Sequence, residues 1–267
     1  MEKVLFEKEG HIAVVKLNRP DVRNAICPEM IVRLCEIWDE IKHNKHIRVA
    51  IVTSSEDGIF CSGADLGRYI TLLNGRPAED QWDQKILDDE SVAKRAFLRD
   101  MDVGKPVIAA INGHAIAGGM EIVHGTDLRV ASETALFGLQ EAKWGIFPAG
   151  ASTVRLPEQI PYVKAMEMLL TGELYSALEL HQCGFFNYCV PEKEVFTKAW
   201  CLAEKIARNA PIAVQAIRRS VRSSRGLSLQ EALDQEFEIA MPVFRTKDAQ
   251  EGPRSFLEKR NPVYIGE

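Results

Sequence analysis

Two short apolar runs constrain the fold of this chain more than any other feature. RVAIVTSS at 48–55 and PVIAAIN at 106–112 are too short for ordinary helices, and their apolar residues run consecutively. Each predicts a short buried strand. LRVASE and ALFG, within 128–138, predict two more, and residues 4–17 alternate apolar and polar about Glu9-Gly10 as a hairpin does. Between these strands, Met30, Ile31, Leu34, Ile37, Trp38 and Ile41 recur at helical spacing from Pro28 to about His43. Strands alternating with helices give an α/β fold. After about Val190 the pattern becomes helical, over 193–208, 211–225 and 228–246, with a charged tail behind it. Residues 71–92 show little periodicity and are predicted to be a surface segment, suited to a flap.

Composition excludes several classes. A chain of 267 residues with 46% hydrophobic content can bury a sizeable core, and its net charge of −5 argues against nucleic acid as a partner. The apolar runs are far too short to span a bilayer. The charged, strand-like N-terminus has no apolar signal core, so a cytoplasmic location is expected. The six cysteines form no C-x-x-C pair and have no histidine at zinc-ligand spacing; they are expected to be reduced and mostly buried, with Cys61 the one open to a reactive role. Arg218, Arg219, Arg222 and Arg225 form a basic run, expected to be a solvated or interface helix face.

Four stretches carry candidate chemistry: CSGADL at 61–66, NGHAIAGGMEIVHGTD at 112–127, LQEAKWGIFPAGAS at 139–152 and the tail TKDAQEGPRSFLEKRNPVY. A glycine-bearing turn that opens a helix exposes free N–H groups at the positive end of the helix dipole. Two such turns, at 62–65 and 117–120, would supply an oxyanion hole if both pointed at one oxygen. Glu121 follows the second turn, and Glu141 lies twenty positions on. Two acids beside a polarised carbonyl can move protons and a water. Alone, each piece has a plainer reading: loop punctuation for the glycines, a first-turn acid for Glu121, a surface residue for Glu141, a helix cap for Asp65.

Together and in order, the pieces resemble the crotonase family, the enoyl-CoA hydratase/isomerase superfamily. The resemblance runs through LNRPDVRNAI (17–26), FCSGADL (60–66), KPVIAAINGHAIAGGMEI (105–122), ALFGLQEAKWGIFP (135–148), LLTGELYSA (169–177) and DAQEGPRSFLEKRNP (248–262). It implies an oxyanion hole from the N–H groups of Ala64 and Gly118, which binds the thioester oxygen of an acyl-CoA. It also implies that Glu121 activates a water for attack at C3 and that Glu141 gives a proton to C2. Arg23, Ser62, Asp65, Leu66 and Lys259 match positions along the CoA, Lys259 often acting from a neighbouring subunit. The implied fold is a spiral of ββα turns over residues 1–195. Residues 196–267 would form a helical trimerisation region, giving a homotrimer or a dimer of trimers. No metal and no separate cofactor is implied, since CoA is part of the substrate.

The chain departs from the family pattern at GIFPAGAS, where Ala149, Ala151 and Ser152 stand in a turn usually richer in glycine. Trp144 and Phe147 nearby are read as core, or as aromatics that trim the pocket, and His124 as a packed histidine or a group that tunes Glu121. The two acids favour hydration of a 2-enoyl-CoA. Isomerisation and thioester hydrolysis on the same scaffold stay open, as does non-catalytic binding of acyl-CoA or RNA.

Overall fold

The computed structural model describes residues 1–267. The predicted hairpin is β1 (Val4–Glu9) against β2 (Ile12–Leu17), with Gly10 in the turn at φ 54°. Helix α1 (Pro28–His43) follows, with Pro28 in its first turn, where a missing N–H costs nothing. Next come β3 (Val49–Ser54), β4 (Gly58–Cys61), α2 (Thr71–Leu73), α3 (Gln81–Asp88) and α4 (Ser91–Ala96). The middle of the chain holds β5 (Val107–Ile111), β6 (Gly113–Ile116), α5 (Gly118–Gly125), β7 (Leu128–Ser132) and β8 (Leu136–Gly138). Then follow α6 (Ser152–Gln159), α7 (Tyr162–Thr171), β9 (Tyr175–Ser176), α8 (Ala177–Gln182) and β10 (Tyr188–Val190). Four helices close the chain: α9 (Val195–Ala207), α10 (Pro211–Ser223), α11 (Leu229–Val243) and α12 (Lys247–Leu257).

Two sheets share these strands. The larger runs β1-β2-β3-β5-β7-β10 and is parallel except for the hairpin. The smaller runs β4-β6-β8-β9, with β4, β6 and β8 parallel. From β3 to β8 the chain alternates between the sheets, giving one strand to each per turn, which is the expected ββα spiral. Side-chain alternation divides the larger sheet between two cores. Ala13, Val15, Ala50, Val52, Val107 and Ala109 face the main core with Trp38 and Phe60. Ile12, Val14, Val49, Ile51, Ile108 and Ala110 face outward, where Val195, Ala199 and Ala203 of α9 cover them at a spacing of one turn.

Two stretches differ from their sequence reading. Residues 71–92 are not a structureless flap. Asp80 caps α3 by accepting from the N–H groups of Trp82 and Asp83, and Arg68 and Arg76 both pair with the fully buried Asp83. Short helices fixed by ion pairs leave no long apolar period to read. The charged tail is also largely helical. Thr246 caps α12, and Asp248 accepts from the N–H groups of Ile265 and Gly266, folding the last residues back. α9 starts at the expected domain boundary yet serves as a layer of the larger sheet.

Candidate active site

Three neighbouring parallel strands deliver the candidate groups. The carboxyl ends of adjacent parallel strands lie side by side, and the turns that follow them meet in one crevice. β4 leads into Ser62-Gly63-Ala64. β6 leads through Ala117 into α5, which carries Gly118 and Glu121. β8 leads into Leu139-Gln140-Glu141. A cavity of about 570 Å³ lies at these ends, lined by Ala64, Gly118, Glu121 and Glu141 among mostly apolar neighbours.

The two candidate oxyanion donors lie close together. A Cβ added at Gly118 would sit 3.3 Å from the Ala64 nitrogen, and one at Gly63 would sit 3.3 Å from the Gly118 nitrogen. Ala64 forms a parallel bridge with Ile26, in which Gly63 O and Asp65 N take the hydrogen bonds. That pattern turns the Ala64 N–H to the other side, where it meets no acceptor in the protein. The Gly118 N–H is an unpaired first-turn donor of α5. It is aimed by Ala117, which adopts φ 50°, ψ −119°, a conformation costly for a residue with a Cβ.

The adjacent glycines have separate reasons. A side chain at Gly118 would crowd the Ala64 amide and Phe97, closing the donor pair. A Cβ at Gly119 would lie 2.6 Å from the Cys61 carbonyl, so α5 could not pack against the end of β4.

The two acids are both buried, at 6% exposure for Glu121 and 5% for Glu141. Their surroundings differ. Glu121 Oε1 accepts from the Gly150 N–H at 2.5 Å and from Ser152 Oγ at 3.4 Å. Gly150 is held so close that a Cβ there would sit 2.5 Å from the Glu121 carboxyl carbon. Glu141 Oε2 is buried with no partner. Burial pushes the Glu121 carboxyl up to about 7, helped by repulsion from Glu141 and opposed by Gly150 and Ser152. Burial likewise pushes Glu141 up to about 7.

The other candidates divide. Ser62 and the exposed Leu66 line the cavity. Asp65 does not; its carboxylate accepts from the N–H groups of Gly67 and Arg68 and pairs with Arg19 at 2.6 Å, the helix-cap alternative. Arg23 is exposed, in the left-handed region at φ 56°, and its carbonyl accepts from the Ser62 N–H. Lys259 sits on the exposed turn that ends α12, outside the cavity lining. No three His, Cys, Asp or Glu side chains are grouped as a metal would need.

Other expectations need correction or sharpening. Trp144 and Phe147 are not core: they are 66% and 69% exposed and line the cavity. Cys61 is buried and its thiol is pushed up to about 12, which removes the reactive alternative. Burial holds His124 down at about 3, so it is neutral; it bonds Gln159 and packs edge-on to Phe185. Arg218 pairs with Asp102 and Asp127, Arg222 with Asp127, and Arg225 with Glu158, so the basic run is largely neutralised. Sequence reasoning did not find the Gly150–Ser152 clamp on Glu121. Its only trace was the GIFPAGAS departure.

Comparison with known proteins assigns the chain to a family. The family model for enoyl-CoA hydratase/isomerase matches residues 7–267. The chain is 42% identical over 260 residues to enoyl-CoA hydratase EchA19 of Mycobacterium tuberculosis, covering 97% of this chain and 95% of that one. It is 35% identical to (E)-benzylidenesuccinyl-CoA hydratase of Thauera aromatica, covering 98% and 99% of the two chains. The crystal structure of an enoyl-CoA hydratase from Bacillus anthracis superposes with a TM-score of 0.90 at 32% identity, covering 99% of this chain and 100% of that one. The chain is a member of the enoyl-CoA hydratase/isomerase family.

Proposed function

We propose that this protein is an enoyl-CoA hydratase that adds water across the 2,3 double bond of a 2-enoyl-CoA in the syn sense. The observation that carries the reading is the pairing of two acceptor-free amides with two buried acids around one cavity. The thioester oxygen accepts from Ala64 and Gly118. Glu121, ionised and steadied by Gly150 and Ser152, takes a proton from water as the water oxygen bonds to C3. The π electrons move to the thioester oxygen as an enolate, where each amide is worth about 3 kcal/mol in the transition state. Glu141 has no donor to steady an anion on Oε2 and is the protonated partner. It gives its proton to C2, completing the addition of one water.

The CoA portion runs past Ser62 and Leu66, with Arg23 and the partner-borne Lys259 as phosphate contacts and Asp65 shaping the loop. We place the enzyme in the cytoplasm, in fatty acyl-CoA metabolism, as a homotrimer or a pair of trimers. Exposed Leu229, Leu233 and Phe237 on α11 support that assembly, since a face of this kind is otherwise left to water.

Mixing the protein with crotonyl-CoA tests the reading. Loss of the conjugated-enoyl absorbance, with a gain of one water in product mass, supports it. Free CoA would mean hydrolysis, and an unchanged mass with a moved double bond would mean isomerisation. The rate should peak near pH 7, because the reaction needs the acid pair to hold one proton: it falls at low pH as Glu121 protonates and at high pH as Glu141 ionises.

A further inference from the structure

Two cations line the same cavity as the acids, Lys94 and Arg99. Lys94 has a partner on the cavity wall, Glu90, 3.6 Å away. Arg99 does not. Its guanidinium donates no hydrogen bond, and its one acid contact is the adjacent Asp100, 3.8 Å from Nε. Phe97, Leu72 and Ile86 line the same space.

The backbone under Arg99 is held in place against a cost. The end of α4 is a Schellman turn: the Leu98 N–H donates to Arg95 O and the Arg99 N–H to Lys94 O. The left-handed position of that turn favours glycine, yet here it is a buried leucine at φ 55°. Arg155 fixes the turn by donating to the carbonyls of Leu98 and Arg99 at 2.7 and 3.0 Å. Gly125, at the end of α5, leaves room for it, since a Cβ there would lie 2.5 Å from the Leu98 Cβ. The turn that presents Arg99 is therefore locked to the helix that carries Glu121. Arg99 lines the same cavity as Glu121 and Glu141, so an acyl chain seated there shares its walls with the guanidinium.

We propose that Arg99 is a specificity residue that anchors a second, free carboxylate on the acyl chain, so that the preferred substrates are 2-enoyl-CoAs with an acidic acyl tail. The guanidinium fork matches a carboxylate with two parallel N–H bonds, and the Arg99 side chain, 39% exposed, leaves that fork open to a ligand in the cavity. This deepens the hydratase reading and rests on it.

The test compares 2-hexenoyl-CoA with its ω-carboxylated counterpart, 2-hexenedioyl-CoA. The native enzyme should favour the dicarboxylic ester in kcat/KM by about tenfold or more, as one charge-assisted pair provides. Arg99→Gln should erase the ratio, and Arg99→Lys should keep part of it. Calorimetric binding of the saturated esters, hexanoyl-CoA and hexanedioyl-CoA, needs no chemistry and should show the same preference and the same loss. Equal binding of the two esters by the native protein overturns the anchor even if hydration proceeds. So does an unchanged ratio in Arg99→Gln, including a variant that only shifts the pH profile, since Arg99 would then act on Glu121 alone. A binding preference that Arg99→Gln abolishes, without turnover of either enoyl ester, supports the anchor while defeating the hydratase reading.

Discussion

The turn after β6 and the turn after β8 each bring one glutamate to the cavity, and they hold it differently. Glu121 stands on the first turn of α5 and is gripped from outside by Gly150 and Ser152. Glu141 opens a short 3-10 turn and keeps one oxygen without a partner. The same burial raises both carboxyls, but Glu121 is steadied by donors from another loop, whereas Glu141 has only its own N–H and leaves Oε2 without a partner. In the hydratase reading, this difference fits Glu121 to take a proton and Glu141 to give one.

The largest effect that sharpens this contrast comes from removing each acid. Glu121→Gln and Glu141→Gln should each lower turnover of crotonyl-CoA by roughly 10²–10⁴-fold, the usual worth of a general acid or base. The two variants should then separate in a second assay, exchange of the C2 protons of butyryl-CoA with heavy water. That exchange should fall far more with Glu141→Gln than with Glu121→Gln. Equal losses would erase the division of roles.

Gly150→Ala attacks the grip on Glu121 from the backbone. The new methyl would sit 2.5 Å from the carboxylate, so the acid has to move. Turnover should drop by about 10² or more, the scale expected when a reacting group is displaced by an ångström, while Glu141 is left in place. Normal turnover in a folded Gly150→Ala protein would show that the grip does not matter.

Stability reads the same burial with the opposite sign. Both carboxyls titrate near 7 in the folded chain, above their ordinary 4.5, so the folded state keeps protons that the unfolded chain has released. The stability this contributes is full below pH 4.5 and is lost as pH rises through 7. Each Gln variant should therefore be more stable than the native protein at pH 8, on the order of 1–3 kcal/mol, with the gain fading toward pH 4.5. Denaturant titration at the two pH values checks it. The smallest effect belongs to Ser152→Ala, which removes a long 3.4 Å bond. A rate loss of only a fewfold is expected, about the worth of one weak hydrogen bond of ~1 kcal/mol.

The elements that sequence reveals well are those whose causes are local. The hairpin, α1 and the buried strands each declare themselves through spacing. The motif glycines were legible because a backbone that must approach closely tolerates few residue types, whereas Glu121 and Glu141 stood out only through their place in a family pattern. The clamp on Glu121 was not legible, because Gly150 lies twenty-nine residues away and acts through its main-chain N–H, which every non-proline residue has. The order within residues 71–92, a surface segment as read, was hidden for a related reason. Asp83 looks like any surface acid until Arg68 and Arg76 are seen to enclose it. For Trp144 and Phe147 the core reading fails and the pocket-trimming one fits, because aromatic composition does not by itself distinguish a core from the mouth of a cleft.

The side-by-side strand ends after β4, β6 and β8 have a consequence for how such a protein diversifies. Each end works as a separate socket. In the hydratase reading, Ala64 and Gly118 would act through main-chain atoms, so their donors would survive most changes in the surrounding loops. The acids would contribute through side chains, and Glu141, whose Oε2 has no partner, is the one whose exchange leaves fewer neighbouring groups unpaired. On that reading, one scaffold could keep a pair of main-chain donors while new reactions are written by swapping the residue in a single socket.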